Sequence, residues 1–142
     1  MHKTFLLVPL LGAILFLSCK TTAINGQTPE AKTQAPAFVT WDKKLIELGP
    51  VKKGDKRSMF YEFVNTSGST VQIDIVDACD CTTVDCPRGA IEPNAKGRLE
   101  VVFNSAEKDA AETISINVIF KNTHPNGVPY IETVEYKFDL VK

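Results

Sequence analysis

From Phe38 onward, apolar side chains recur at every second position, and this period admits strands while excluding amphipathic helices. Met59, Tyr61 and Phe63 share one side of their segment, and Val71, Ile73 and Ile75 share one side of the next. Leu99, Val101 and Phe103 follow, then Ile114, Ile116, Val118 and Phe120, then Val134, Tyr136, Phe138 and Leu140. Polar residues occupy the alternate positions, the pattern of a sheet with one wet face. Two shorter candidates, Phe38 to Trp41 and Leu45 to Leu48, precede them. Turn-forming clusters separate the runs, at Gly49-Pro50, Lys53-Gly54-Asp55, Asn65 to Gly68, Pro93 to Gly97 and His124 to Gly127. No window holds a sustained helical period. The expectation is an all-β fold, an immunoglobulin-like antiparallel β-sandwich of about seven strands over residues 38–142.

The N-terminus sets the compartment. A short basic start, His2 and Lys3, leads into an apolar run from Phe5 to Leu17 that is shorter than the roughly 20 residues a spanning helix needs. That length suits the hydrophobic region of a secretory signal peptide. The run ends in Phe-Leu-Ser-Cys, which resembles the lipobox of bacterial lipoproteins, although Phe16 stands where Leu is usual. The resemblance implies a signal peptide over residues 1–18 and Cys19 as the lipidated first residue of the mature chain. Residues 19–37 hold Thr, Gln, Ala and Pro with Ile24 as the one large apolar group, so they read as a flexible tether. The expected location is the bacterial cell envelope, with the membrane engaged through the N-terminal lipid. The chain carries 16 Lys plus Arg against 17 Asp plus Glu, with no basic cluster, and nucleic acid is therefore not an expected partner.

Beyond the tether, the order of turns and cysteines carries a family resemblance. Leu45-Ile46-Glu47-Leu48-Gly49-Pro50-Val51 with Gly54, then Phe63-Val64-Asn65-Thr66, then Cys79-Asp80-Cys81-Thr82, Pro87, Ile91-Glu92-Pro93-Asn94 and Gly97, resembles the bacterial family known as domain of unknown function 1573. The resemblance spans roughly residues 45–103. It implies a fold similar to Hydin-type immunoglobulin-like modules and a secreted or lipid-anchored address of the kind seen in Bacteroidetes; it implies no activity. Asp80 and Asn94 stand where the family pattern has glycine, which points to turns with positive φ at both. Cys86 stands where a large residue is common.

Cys79, Cys81 and Cys86 form the candidate site. In an extended strand, residues two apart have Cα atoms about 6.6 Å apart, so Cys79 and Cys81 pair only if a turn at Asp80 folds them together. A bridge from Cys86 to Cys79 or to Cys81 closes more easily, and it is the favoured arrangement in an oxidising envelope. The alternative is a metal clamp, in which three thiolates with Asp80 and Asp85 nearby take copper or zinc. It lacks a close fourth ligand, because His124 lies in a distant turn. A thiol oxidoreductase would need C-x-x-C at a helix N-terminus, and the pattern offers neither.

Hydrolytic motifs such as G-x-S-x-G, H-E-x-x-H and the phosphate loop are absent from the sequence. The pairs Asp74 and Asp77, and Glu132 and Glu135, read as solvated strand faces. No catalysis and no cofactor are expected. The role left is a binding or structural module with a protein partner in the envelope. Trp41 and the in-phase aromatics belong to the core by their alternation. Tyr130, in a loop-like stretch outside that phase, is the one aromatic marked as a possible ligand contact.

Overall fold

The computed structural model describes residues 37–141. The expected signal peptide, Cys19 and all of the tether but Ala37 lie outside the described residues. Eight strands follow in order: β1 (Val39–Trp41), β2 (Leu45–Lys52), β3 (Lys56–Asn65), β4 (Ile73–Asp77), β5 (Thr82–Asp85), β6 (Lys96–Asn104), β7 (Glu112–Thr123) and β8 (Pro129–Val141). They form two four-stranded sheets, ordered β1-β3-β6-β5 and β2-β8-β7-β4, which make an immunoglobulin-like sandwich. All pairs are antiparallel except β2 with β8, which runs parallel from Leu45 opposite Glu135 to Lys52 opposite Val141.

The alternating residues fill the space between the sheets as the sequence pattern requires. Tyr61, Phe63, Leu99, Val101, Phe103, Ile116, Val118, Phe120, Val134 and Tyr136 are all but inaccessible to water. Each such large side chain contributes about 1.5–3 kcal/mol through burial. Trp41, Phe63 and Phe120 make a run of ring contacts at one end of the core, with centroids 4.9 and 6.0 Å apart. At the other end Phe103 touches Tyr136 and Phe138, at 5.1 and 4.6 Å. These separations lie in the range where edge and offset contacts between rings are attractive.

Three local expectations are corrected. Ile75 does not share the inward side with Val71 and Ile73, because the register of β4 on β7 shifts between Ile73 and Ile75, and this bulge turns Ile75 outward to 56% exposure. Gly49-Pro50 is not a turn between strands. It is a register shift inside β2, where Gly49 takes φ 63° and the strand continues to Lys52. Residues 82–85, which lie outside every alternating run marked in the sequence, form β5 and pair with β6 from Phe103 to Glu100.

Asn65, at the end of β3, is fully buried and uses its whole amide. Its Nδ2 donates to the carbonyls of Ser69 at 2.7 Å and Ile91 at 2.9 Å, and its Oδ1 accepts from the Ser67 N–H at 3.1 Å and the Ser67 hydroxyl at 2.8 Å. Its own N–H donates to Ala95 O and its carbonyl accepts from Asn94 N, both at 2.9 Å. The loops at 65–70 and 91–95 are thereby held to one another, beside the isolated bridge of Val71 with Ile91. Asn94 has φ 64°, as expected of a residue replacing glycine there; Asp80 does not, since Asn94 is the one non-glycine residue with positive φ among the described residues.

Gly97 sits opposite Phe63 across β3 and β6, and the Phe63 ring lies against the space a Cβ would take. Gly97→Ala is therefore expected to push a buried ring out of its place and cost about 1–3 kcal/mol, read as a lower midpoint in urea unfolding with an unchanged slope.

Candidate functional site

Cys79, Asp80 and Cys81 form the link between β4 and β5, and it is a turn. The Thr82 N–H donates to the Cys79 carbonyl at 2.8 Å, which brings the Cα atoms of Cys79 and Cys81 to 5.2 Å and allows a disulfide between them. The Asn104 N–H donates to the Cys81 carbonyl at 2.9 Å and fixes the turn to β6. The expected bridge to Cys86 is thus corrected. β5 keeps its four residues extended against β6, and at about 3.3 Å per residue this holds Cys86 roughly 15 Å along the strand from the bridged pair. Cys86 is a half-buried free thiol. The same separation removes the geometry of a three-thiolate clamp: no group of three or more His, Cys, Asp or Glu converges on a metal position among the described residues.

The bridge rests on a hydroxyl pair. Thr82 Oγ1 lies 3.2 Å from Cys79 Sγ and 3.5 Å from Cys81 Sγ, and it shares a 2.6 Å hydrogen bond with the Tyr136 hydroxyl, itself 3.9 Å from Cys81 Sγ. Tyr136 comes from β8 in the other sheet, so this contact ties the turn across the sandwich. Burial pushes the Tyr136 phenol above its ordinary value, and the Glu112 charge adds to the rise, while the Thr82 hydrogen bond opposes it. Tyr61, in the first sheet, is raised more strongly by burial, with the Tyr136 and Glu135 charges adding, and it donates to the Glu135 carbonyl at 2.7 Å. Both hydroxyls therefore serve as neutral donors or acceptors that stitch the sheets together.

Tyr130 lies far from this turn. Its ring is stacked parallel to that of Phe38, with centroids 3.8 Å apart, and the His124 ring centroid lies 3.8 Å from it as well. Phe38 in turn meets Phe120 edge-on at 5.1 Å. Rings against both faces make Tyr130 the outer layer of the core, so a stacking ligand would have to displace a neighbour. His124 belongs to the exposed turn between β7 and β8, where it donates its N–H to Val128 O at 2.8 Å. Glu132 is not simply a solvated carboxylate, since it accepts from Lys44 Nζ at 2.7 Å and from Trp41 Nε1 at 3.3 Å. Asp74, Asp77, Asp80 and Asp85 are exposed.

Asn65 and Thr82 went unmarked in the sequence reading. The signal was present, since each sits inside a motif quoted for the family resemblance, but a buried amide and a sulfur-facing hydroxyl are defined by partners distant in sequence.

A family described as "Protein of unknown function (DUF1573)" matches residues 39–134. No curated protein matches the sequence. Among solved structures, the Vibrio cholerae VesB protease superposes with a TM-score of 0.59 at 14% identity, covering 72% of this chain and 32% of that one. A protein of unknown function from Porphyromonas gingivalis gives 0.59 at 16% identity, covering 72% and 46%. The ASH/PapD-like domain of human CEP192 gives 0.56 at 11% identity, covering 75% and 87%. The chain spans about a third of the first and just under half of the second, and at these identities the likeness is one of fold.

Two measurements follow from the site. The tryptic peptide ending at Arg88 carries all three cysteines, and alkylation of the denatured, unreduced protein is expected to label it once, at Cys86, and three times after reduction. In alkaline titration followed by tyrosinate absorbance, Tyr61 and Tyr136 are expected to stay protonated beyond pH 10, where the unfolded chain ionises all three of its tyrosines. Because both folded-state values are raised, the stability they confer is fully present below about pH 10 and is lost as pH climbs above it.

Proposed function

We propose that this chain, which belongs to the DUF1573 family of proteins of unknown function, is a lipid-anchored, non-catalytic module of the bacterial cell envelope. Cys19 carries the lipid, and the sandwich of residues 38–142 binds or spaces other envelope components. The observation that carries this reading is the bridge between Cys79 and Cys81, held in place by Thr82 and Tyr136. Protein disulfides persist in oxidising compartments, and a structural bridge of this kind agrees with export through the N-terminal leader.

The non-catalytic part of the reading draws on where proton affinities are displaced. Enzymes gather shifted acids and bases around a cleft. Among the described residues, the two shifted phenols are core groups whose hydroxyls join the sheets, and a further shifted group, Lys137, is an exposed side chain raised chiefly by its hydrogen bond to Glu47. Thr82 and the bridged sulfurs of Cys79 and Cys81 are likewise occupied with one another. The interior polar groups of the domain serve the fold, which leaves its edges and outer faces for recognition.

Intact-mass analysis of the protein from bacterial membranes tests the reading. The expected result is a chain beginning at Cys19 with added acyl mass, released into the soluble fraction by Cys19→Ala. An unmodified N-terminal methionine on a soluble chain would refute it.

A further inference from the structure

The first sheet ends on an incomplete strand. β1 has three residues and covers β3 from Phe63 to Asn65, and the Asp42 N–H adds one more bond, to the Glu62 carbonyl at 3.0 Å. In an antiparallel ladder, the backbone groups of alternate residues point to the same side. Glu62 therefore fixes the phase. The N–H and C=O groups of Lys56, Ser58 and Phe60 also face away from β6, and the unbroken register of β3 on β6 from Lys56 to Val64 carries that phase along the strand. Among the described residues none of the backbone groups of Ser58 and Phe60 on that side has a partner strand.

The side chains along this edge have a specific chemistry. Phe60 is 37% exposed and lies between two cations, with Arg98 3.9 Å and Lys43 5.3 Å from its ring centroid. Arg98 is already neutralised by Glu62 and Glu100, and Arg57 lies 3.6 Å from Asp55. Lys43 and Lys56 are not: neither has a carboxylate partner among the described residues. Ser58, between them on the outer face, is small and exposed. The residue inward of it, Met59, is buried at 7% exposure.

We infer that the outer edge of β3 from Lys56 to Phe60 is a docking edge for an extended, acidic segment of a partner protein, which adds as a further strand to the first sheet. This rests on the reading of the domain as a binding module and specifies its surface and the partner's chemistry. The backbone of the incoming segment pairs with Ser58 and Phe60, which gives affinity without sequence demand. Its side chains alternate. Those on the outer face meet Lys43 and Lys56, so Glu or Asp is favoured opposite Ser58, within cross-strand or diagonal reach of both cations. Those between them point toward Met59 and are apolar. Two copies of this chain fit poorly, because pairing β3 with itself about Ser58 would set the same lysines near one another; lysines of this kind guard edges against self-association.

The probe is an acetylated, amidated seven-residue peptide alternating Glu and Val, with a Lys and Val peptide as its counterpart, both titrated against the full chain in detergent. Binding is read by fluorescence anisotropy, and location by backbone amide exchange. The Glu peptide is expected to bind, to slow exchange at Ser58 and Phe60, and to weaken with added salt. Ser58→Pro removes an outward N–H while leaving the ladder to β6 intact, and should raise Kd at least tenfold. Should Ser58→Pro fail to fold, Lys43→Glu with Lys56→Glu is the second arm, with a similar loss expected. Ile75→Asp, on the outer face of the other sheet, should change nothing. Equal binding of the Lys peptide, no binding of the Glu peptide at millimolar concentration, or unchanged affinity in the edge variants would overturn the inference. A native envelope partner that still binds Ser58→Pro would sink the edge and leave the binding module standing.

Discussion

The buried amide of Asn65 is the constraint on which the connections of the sandwich depend. Four hydrogen bonds to its side chain and two to its backbone secure the ends of two loops that would otherwise leave carbonyls and N–H groups stranded against the core. An unmade hydrogen bond in such a place costs about 1–3 kcal/mol, so the residue is held by what its loss would expose more than by what it adds. Its neighbour across the loop, Asn94, supplies the positive φ that lets the chain reverse within hydrogen-bonding distance. Gly97 then clears room for the Phe63 ring, and the two long strands of the first sheet can close over the aromatic interior.

The disulfide and the two core tyrosines extend the same logic to the opposite end. Tyr61 reaches the Glu135 carbonyl from the first sheet, and Tyr136 reaches Thr82 from the second. Each crosses the interior with a large apolar ring and finishes in one satisfied hydroxyl, an arrangement suited to residues that are both space-filling and polar. The sulfur pair is short-range in sequence but joined through Thr82 to a strand more than fifty residues away. Its turn is consequently part of the scaffold.

Legibility followed the range of the interaction concerned. The alternation that fills β3, β6, β7 and β8 is local, so Tyr61, Leu99, Ile116 and Tyr136 could be placed indoors from their spacing. Asn94 was legible because one residue's backbone preference sufficed. Ile75 was not, because an extra residue in β4 reverses the phase, and the bulge is set by the pairing with β7. The cysteine pairing escaped for a related reason. Spacing alone favoured the longer loop to Cys86, whereas the ladder between β5 and β6 holds Cys86 out of reach and the Thr82 bond makes the tighter turn possible. The unfinished β3 edge is invisible in the sequence, since β1 looks no different from a strand that pairs along its full length.

The parallel pairing of β2 with β8 binds positions 45 and 135, at opposite ends of the domain's sequence. Its closure must wait for nearly the whole chain, because the entropy of a long loop has to be met before these contacts return anything. A polypeptide arranged this way has no stable half. Its second sheet closes only when the last strand is available, so trimming at the C-terminal end is as damaging to the start of the domain as to its finish.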